Sequence, residues 1–573
     1  MPVRHYPPPA PADAGAGHPG KYRNRLPGRT GKGDRTMSRN TSTTATPAVP
    51  GCTSGGIRTA CFGGTLAIVL AICIPLILFP VEGERIINRL FTLITRDMDW
   101  LYLLAGLGSL ALILWFAFGP LSGKRLGDTV EYSTFSWIGM LICAGVGAGI
   151  MFGGSIDWAY YLAYPLGGAP VGSPKAMELS CAYGMFHWGP ICWAIYATLA
   201  VPIGYSFYVK KVPILNISQA CSGLLGDRVH AWPGKVIDIL FMVGLVAGSA
   251  TALGLGIPIV AAGVASCFGL EHGFGLEMVI LALVTLLFSV TSSLGLKKGM
   301  HRLSDFNVYI ALGLLLYVFL VGPTLFLTKT SLNAVGLLAT DFVRMATATD
   351  PVGGSDFTQD WTVFYYAWFV AYAPFMSLFI AKISRGRTVR QVVLGPVILA
   401  SLGCGLFYMV FGNFGLHLQL TGQLDVADMV KNAKGATAIM AVADFIPFPA
   451  AFKLIFALVT AISMATTFDA VSFALAATTT ATLTPEDEPA RWNRLFWAIC
   501  LALVPLGILL IDGPLSVLQT ASIVVGLPVL IVLWLGVAAF FNEYRRIGWT
   551  PAPNDATCVP WARQEKEIKH EGH

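Results

Sequence analysis

Residues 360–372, "DWTVFYYAWFVAY", hold seven aromatic side chains in thirteen positions. Trp361, Tyr365, Trp368 and Tyr372 are spaced 4, 3 and 4 apart, which puts them on one stripe of a helix. Met376 continues the stripe. Aromatic belts of membrane proteins sit at helix ends. This stripe instead runs for roughly 17 Å of helix and reaches toward the middle of a bilayer. The electron-rich ring faces suit one class of ligand. A quaternary ammonium has no N–H to donate and no lone pair, so it is held by cation–π contact, worth about 0.5–2 kcal/mol per ring. The alternative is an aromatic packing seam, in which each buried Tyr and Trp donor needs a partner.

Two other stretches break the pattern of a plain Leu-rich span. In residues 143–160, "CAGVGAGIMFGGSIDWAY", Gly145, Gly147, Gly149, Gly153 and Gly154 fall close together. Each glycine weakens a helix by roughly 1 kcal/mol relative to Ala. The run therefore marks either a helix that unwinds around a ligand or a close helix–helix contact of small residues. Asp157 ends it. An intramembrane carboxylate is by default a site, but a position at the solvated outer rim fits Asp157 somewhat better. Residues 183–196, "YGMFHWGPICWAIY", carry His187, with Trp188 and Tyr196 on one face about two turns apart. A lone membrane histidine reads first as a hydrogen-bonded packing residue.

The elements that position these residues follow from composition. The chain has 573 residues, 55% hydrophobic and only 12% charged, with a mean hydropathy of +0.66. Soluble domains carry about 25% charged residues, so the chain is an all-α polytopic membrane protein. Apolar runs of spanning length predict twelve helices, near 60–81, 99–119, 134–164, 180–208, 236–265, 277–293, 307–328, 362–381, 392–415, 450–478, 495–511 and 515–541. With the N-terminus inside, the inner loops hold 15 Lys and Arg and the outer loops 8, which predicts both termini in the cytoplasm. The net charge of +6 is accounted for by those loops and calls for no nucleic-acid partner.

The 11 cysteines are scattered and show no metal spacing. There is no HExxH and no Ser/His/Asp set, so no enzyme is expected. Residues 1–58, rich in Pro, Gly, Ser and Thr, read as a disordered cytoplasmic tail. Residues 59–546 form the membrane domain and 547–573 a short polar tail.

At these residues the sequence resembles the betaine/choline/carnitine transporter (BCCT) family, whose signature has the form [GSDN]-W-T-x-x-[FY]-W-x-W-W. Asp360, Trp361, Thr362, Tyr365 and Trp368 match, while Tyr366 and Phe369 stand where the family has Trp. Also similar are "FGPLSGKRLG" (118–127), "FHWGP" (186–190), "GLKKGMHRLSD" (295–305) and "ISRGRTVR" (383–390). The resemblance covers roughly residues 60–545.

It implies a leucine-transporter-type fold, with inverted five-helix repeats (helices 3–7 and 8–12) preceded by two extra helices. The substrate would sit between a broken helix 3 and helix 8. Carried over position by position, the cage of the carnitine-handling members becomes Tyr160, Trp188, Trp368 and Tyr372, with Met376 facing the substrate carboxylate. Betaine symporters add Tyr196 and the position of Phe369. Backbone at Gly145, Gly147 and Gly149 would complete the site.

Coupling is left open by the resemblance. Thr466 and Thr467 match the two hydroxyls of one sodium site, and Phe375 matches the symporters. The second sodium site would use Leu245 and Ser249, and Leu cannot ligate an ion. Sodium-independent exchangers place an Arg where this chain has His301, with Arg302 next to it. The implied function is secondary transport of carnitine, glycine betaine or choline, the carnitine-type exchange slightly favoured and a sodium-coupled osmolyte importer the alternative. No cofactor beyond a sodium ion is implied. The expected setting is a bacterial-type inner membrane, in contact with lipid, as a homotrimer.

Overall fold

In bilayer hydrocarbon no water can hydrogen-bond an exposed peptide group, so a spanning segment satisfies its backbone internally. The computed structural model follows that rule. It describes residues 56–165, 169–211, 216–294, 297–352, 355–432, 435–481, 488–510 and 515–550. Among them every regular element is helical, and the only bridges of β type are the isolated pairs Ile57–Thr480 and Arg125–Thr388. The expected tails lie almost wholly outside the described residues.

Nine helices among the described residues are long and apolar enough to cross a membrane, and a tenth span is a bent pair, Thr134–Ala144 followed by Ala148–Ala163. The chain is thus a multi-pass membrane protein. The segments expected near 60–81 and 495–511 are also helical, as Thr59–Leu78 and Arg491–Leu510, but are not among the ten.

The bend answers one of the open choices. The two halves of the third expected span meet at 58°. Gly145 still holds a helical conformation, while Gly147 is extended (φ −129°, ψ 177°) and starts the second half. The glycine run therefore interrupts the helix, as well as packing tightly farther along.

The longer helices pack around Trp232–Phe268, which itself contacts the second half of the broken span. Helix Trp232–Phe268 packs along Pro449–Thr479, along Leu515–Ile547 and along Phe364–Ile383. Helix Phe364–Ile383 also lies on the short helix Pro190–Ala197. The second half of the broken span touches Pro174–His187, Trp232–Phe268 and the turn Tyr408–Gly412.

Several helices are locally widened. Thr358–Val363, Pro396–Ala400 and Tyr408–Gly412 are π-helical turns. Such turns place one extra residue in the winding and cluster at functional sites.

Two motifs far apart in sequence zip together at one end of the bundle. Leu126 donates to Arg387 O (3.0 Å), Gly386 to Leu126 O and Val389 to Lys124 O (2.8 Å). Arg387 then lies over the Trp137 ring, 4.9 Å from its centroid, and bonds Thr134 Oγ1 and the Tyr132 carbonyl. The "GKRLG" and "SRGRTVR" segments are thus one structural unit. At another corner, Arg58 pairs with the fully buried Asp238 at 2.7 Å and bonds Thr478 O and Thr479 O. Residues 56–58, assigned to the tail by composition, are held there.

Candidate functional site

The aromatic segment starts within a π-turn and continues as α-helix Phe364–Ile383. That change of winding alters the stripe read from the sequence. Trp361, in the π-turn, faces Tyr160 and Tyr161, with ring centroids 5.3 and 5.1 Å away. Tyr365 turns toward Asp157. Trp368 and Tyr372 face the broken span and helix Trp232–Phe268. All four are buried, so the segment is enclosed on every side and its rings serve three different neighbours.

Trp188 and Trp368 meet edge to face, 5.8 Å between centroids at 87°. Gly149, just after the helix break, lies under both. A Cβ built on it would stand 2.8 Å from the Trp368 ring edge and 2.9 Å from that of Trp188. Any side chain at 149 would push the two indoles apart, so glycine is required by close approach.

The same logic holds at Gly248, where a Cβ would reach 2.6 Å from the Tyr372 ring. Trp368 Nε1 donates to the Gly248 carbonyl at 3.1 Å, which fixes the plane of the indole. Tyr372 and Ser249 share a hydroxyl–hydroxyl bond of 2.9 Å. Because Ser249 Oγ donates to Leu245 O at 2.6 Å, Tyr372 is the donor in that pair.

From Trp188 the rings continue. Phe369 lies 5.4 Å from Trp188 and 5.5 Å from Tyr196, and Tyr196 lies 5.4 Å from Trp193. Tyr365 completes the group, 5.9 Å from Trp188 and 6.2 Å from Trp368. Trp188 Nε1 is buried with no hydrogen bond in good geometry. Edge-to-face and offset contacts are favourable at these separations, so the rings hold one another in place before any ligand arrives.

The expected residues are therefore brought together unequally. Trp188, Tyr196, Trp368 and Phe369 form one connected set, with Gly149 beneath it and Tyr372 one turn along from Trp368. Tyr160 is half-buried, and its ring contacts are with Phe152 and Trp361 rather than with Trp188 or Trp368. Met376 and Phe375 are half-buried on the continuation of the helix, Phe375 edge-on to Tyr372.

Gly145 receives a contact from Cys404, whose thiol donates to its carbonyl, and Gly147 carries the break. On Pro449–Thr479, Thr466 donates to the Ile462 and Ser463 carbonyls of its own helix. That leaves its oxygen lone pairs available. Helices meet here too: a Cβ on Gly256 would touch both Met464 and Ala148, so this helix comes near the break around Met464, two residues before Thr466. Hydroxyls and the freed carbonyls of a broken helix are hard oxygen donors that suit sodium. His301 and Arg302 lie on helix Lys297–Val321, and their side chains are outside those described.

The rim reading of Asp157 is overturned. Asp157 is wholly buried, because the helix continues past it to Ala163 and three tyrosines close over it. Its Oδ2 accepts from Tyr365 (2.6 Å), Tyr408 (2.7 Å) and Tyr161 (3.4 Å). His187 is also fully buried, bonded through Nδ1 to Tyr161 (2.8 Å) and through Nε2 to Thr362 (2.9 Å), which agrees with the packing reading. Sequence reasoning missed Tyr161 and Tyr408. The nearest signal was another glycine-punctuated aromatic run, "GCGLFYMVFGNFG" at 403–415, but nothing in it names Asp157 as the partner.

Comparison with known proteins adds an independent line. The family described as "BCCT, betaine/carnitine/choline family transporter" matches residues 60–547. The "Uncharacterized transporter YeaV" of Escherichia coli (strain K12) is 33% identical over 435 residues, 76% of this chain and 90% of that protein. A "Carnitine transporter" of Acinetobacter baumannii is 34% identical over 430 residues, 74% of this chain and 78% of its own length.

Proposed function

This chain belongs to the betaine/carnitine/choline transporter family, and on that premise we propose that it is a secondary transporter of trimethylammonium compounds, carnitine-like ones foremost. It is a transporter and not an enzyme. The observation that carries the substrate reading is the Gly149–Trp188–Trp368 contact, in which two crossed indoles rest on glycine backbone beside a helix break. Such an arrangement offers π-faces to a methylated nitrogen and unpaired peptide groups to a carboxylate. Tyr372 and Tyr196 would add rings, Tyr160 would close the mouth of the site, and Met376 would lie toward the carboxylate end. The carnitine transporter among the relatives supports a zwitterion over choline.

The mechanism is alternating access, in which the helix break and the aromatic helix move relative to one another around the bound ligand. We take the architecture to be twelve spans with two inverted five-helix repeats, both termini in the cytoplasm, in an inner-membrane setting and in trimers. The bent third span supports the repeat reading.

A second reading is sodium-coupled import. Thr466 and Thr467 near the break favour one ion, held by their hydroxyls and by carbonyls around Gly145 and Gly147. Leu245 argues against a second ion, and the Ser249 hydroxyl beside it is already engaged by Leu245 O and Tyr372.

Uptake of labelled carnitine, glycine betaine and choline into proteoliposomes tests both readings. Each compound is assayed with and without a sodium gradient and with and without internal substrate. Trans-stimulation by internal carnitine without sodium identifies exchange. Uptake only with a sodium gradient identifies symport. Transport of none of the three sinks the substrate class.

A further inference from the structure

A buried carboxylate costs several kcal/mol unless a cation pairs with it. Asp157 has no such partner: among the described residues it makes no ion pair with Lys, Arg or His. Three tyrosine hydroxyls converge on Oδ2, while Oδ1 is buried and bonded to nothing. The other elements packed on this helix direct their charges elsewhere. Asp238 is tied to Arg58, Lys453 to Asp444 and Ser266, and the thiols of Cys181 and Cys404 to Asn413 and the Gly145 carbonyl. The titratable groups that do face Asp157 are Tyr161, Tyr365 and Tyr408, with His187 behind Tyr161. The three hydroxyls donate to the carboxyl and so favour its ionised form, but a full negative charge buried here has no counter-charge.

We propose that Asp157 is a proton-binding site whose protonation is coupled to the transport cycle. The carboxyl is neutral while the three tyrosines enclose it. When the packing around the broken span opens to water, one carboxyl O–H bond breaks. The proton passes to water, and the electron pair stays on a carboxylate that the tyrosine hydroxyls hold. Rebinding a proton reverses the step. The link to substrate is Tyr365, which bonds Asp157 and packs its ring against Trp188 and Trp368. Displacing those indoles displaces a donor to the carboxyl. Tyr161 extends the chain of hydrogen bonds through His187 to Thr362. Coupling rests on the transporter reading; proton binding itself needs no substrate.

Two measurements on the full chain in lipid vesicles test the two halves. In infrared difference spectra between acid and alkaline pH, the wild type shows a protonated-carboxyl band that Asp157→Asn loses. An identical band in both proteins overturns the site. If Asp157→Asn does not reach the membrane folded, Tyr408→Phe removes one donor to the carboxylate and moves the band's midpoint to higher pH. An unmoved midpoint overturns the site equally. In uptake assays without sodium, an imposed proton gradient raises the wild-type rate and leaves Asp157→Asn unchanged. Wild-type uptake indifferent to the gradient overturns the coupling. Failure to transport any trimethylammonium compound removes the substrate reading and leaves the infrared result standing.

Discussion

Trp188 and Trp368 cross at 87° with their centroids 5.8 Å apart, and the outer edges of both indoles rest on Gly149. One indole comes from the end of helix Pro174–His187, the other from Phe364–Ile383, and the glycine from the start of the second half of a broken span. Any relative motion of these three elements changes the separation of the rings. The ring arrangement therefore follows the relative position of the three elements.

The first prediction concerns the rings themselves. Trp368→Leu keeps an apolar side chain, though a smaller one, and removes the π-face. With about 0.5–2 kcal/mol per ring, the affinity for a trimethylammonium ligand falls roughly 2- to 30-fold. Binding followed by tryptophan fluorescence reads this directly. Trp368→Phe retains part of the affinity, and dimethylamine analogues bind less well than trimethyl ones. Undiminished affinity in Trp368→Leu would count against ring recognition.

Gly149→Ala places a methyl group where two indole edges already lie. Overpacking of this kind costs roughly 1–3 kcal/mol. The expected result is a folded protein with lowered thermal stability and a larger loss in KM than in stability, since both rings are displaced together. Gly147→Ala, with nothing near its Cβ, serves as the comparison and leaves the rings in place. Equal affinity in the wild type and Gly149→Ala would show that the rings are not the contact surface.

Ser249→Ala leaves the Tyr372 hydroxyl without its acceptor in a buried setting. The loss of a buried partner costs about 1–3 kcal/mol. Tyr372→Phe in the same background recovers most of that stability, because both polar partners are then absent. A thermal-shift double-mutant cycle measures the coupling, and additive effects would argue that the bond contributes nothing.

Arg58→Ala strips the counter-charge from Asp238, which is fully buried. Removing one partner of a buried pair costs roughly 3–5 kcal/mol, here reduced because Arg58 is partly exposed. Asp238 keeps its two bonds from Ser218, so Arg58→Ala combined with Asp238→Asn regains part of the loss. Unfolding temperature in detergent reads both. The substrate affinity of the surviving folded protein is expected to be unchanged, since the pair's bonds run to Ser218, Thr478 and Thr479.

Thr466→Val and Thr467→Val together remove two hard oxygen donors from the helix that contacts the second half of the broken span. If one sodium ion is coupled, the double variant loses sodium stimulation while ligand binding in its absence is retained. Uptake that stays sodium-stimulated in the double variant would place the ion elsewhere.

Composition and apolar run lengths were enough to establish a helical membrane protein, because the bilayer leaves a spanning chain few alternatives. The glycine run offered a break as one of two readings, since helix propensity is a local property, and the structure decided for a break at Gly147. Trp188 and Trp368 could be singled out from one-dimensional spacing for the same reason, whereas Phe369 entered only through the family resemblance. Tertiary packing alone decided which ring meets which. The π-turn at Thr358–Val363 sent Trp361 to Tyr160 and left Trp368 to Trp188, and no 3.6-residue count anticipates an extra residue in the winding. It also decided Asp157. A carboxylate near a helix end reads as solvated until Tyr365 and Tyr408, 208 and 251 residues away, are folded over it. Burial is a property of neighbours, and those neighbours are distant in the chain.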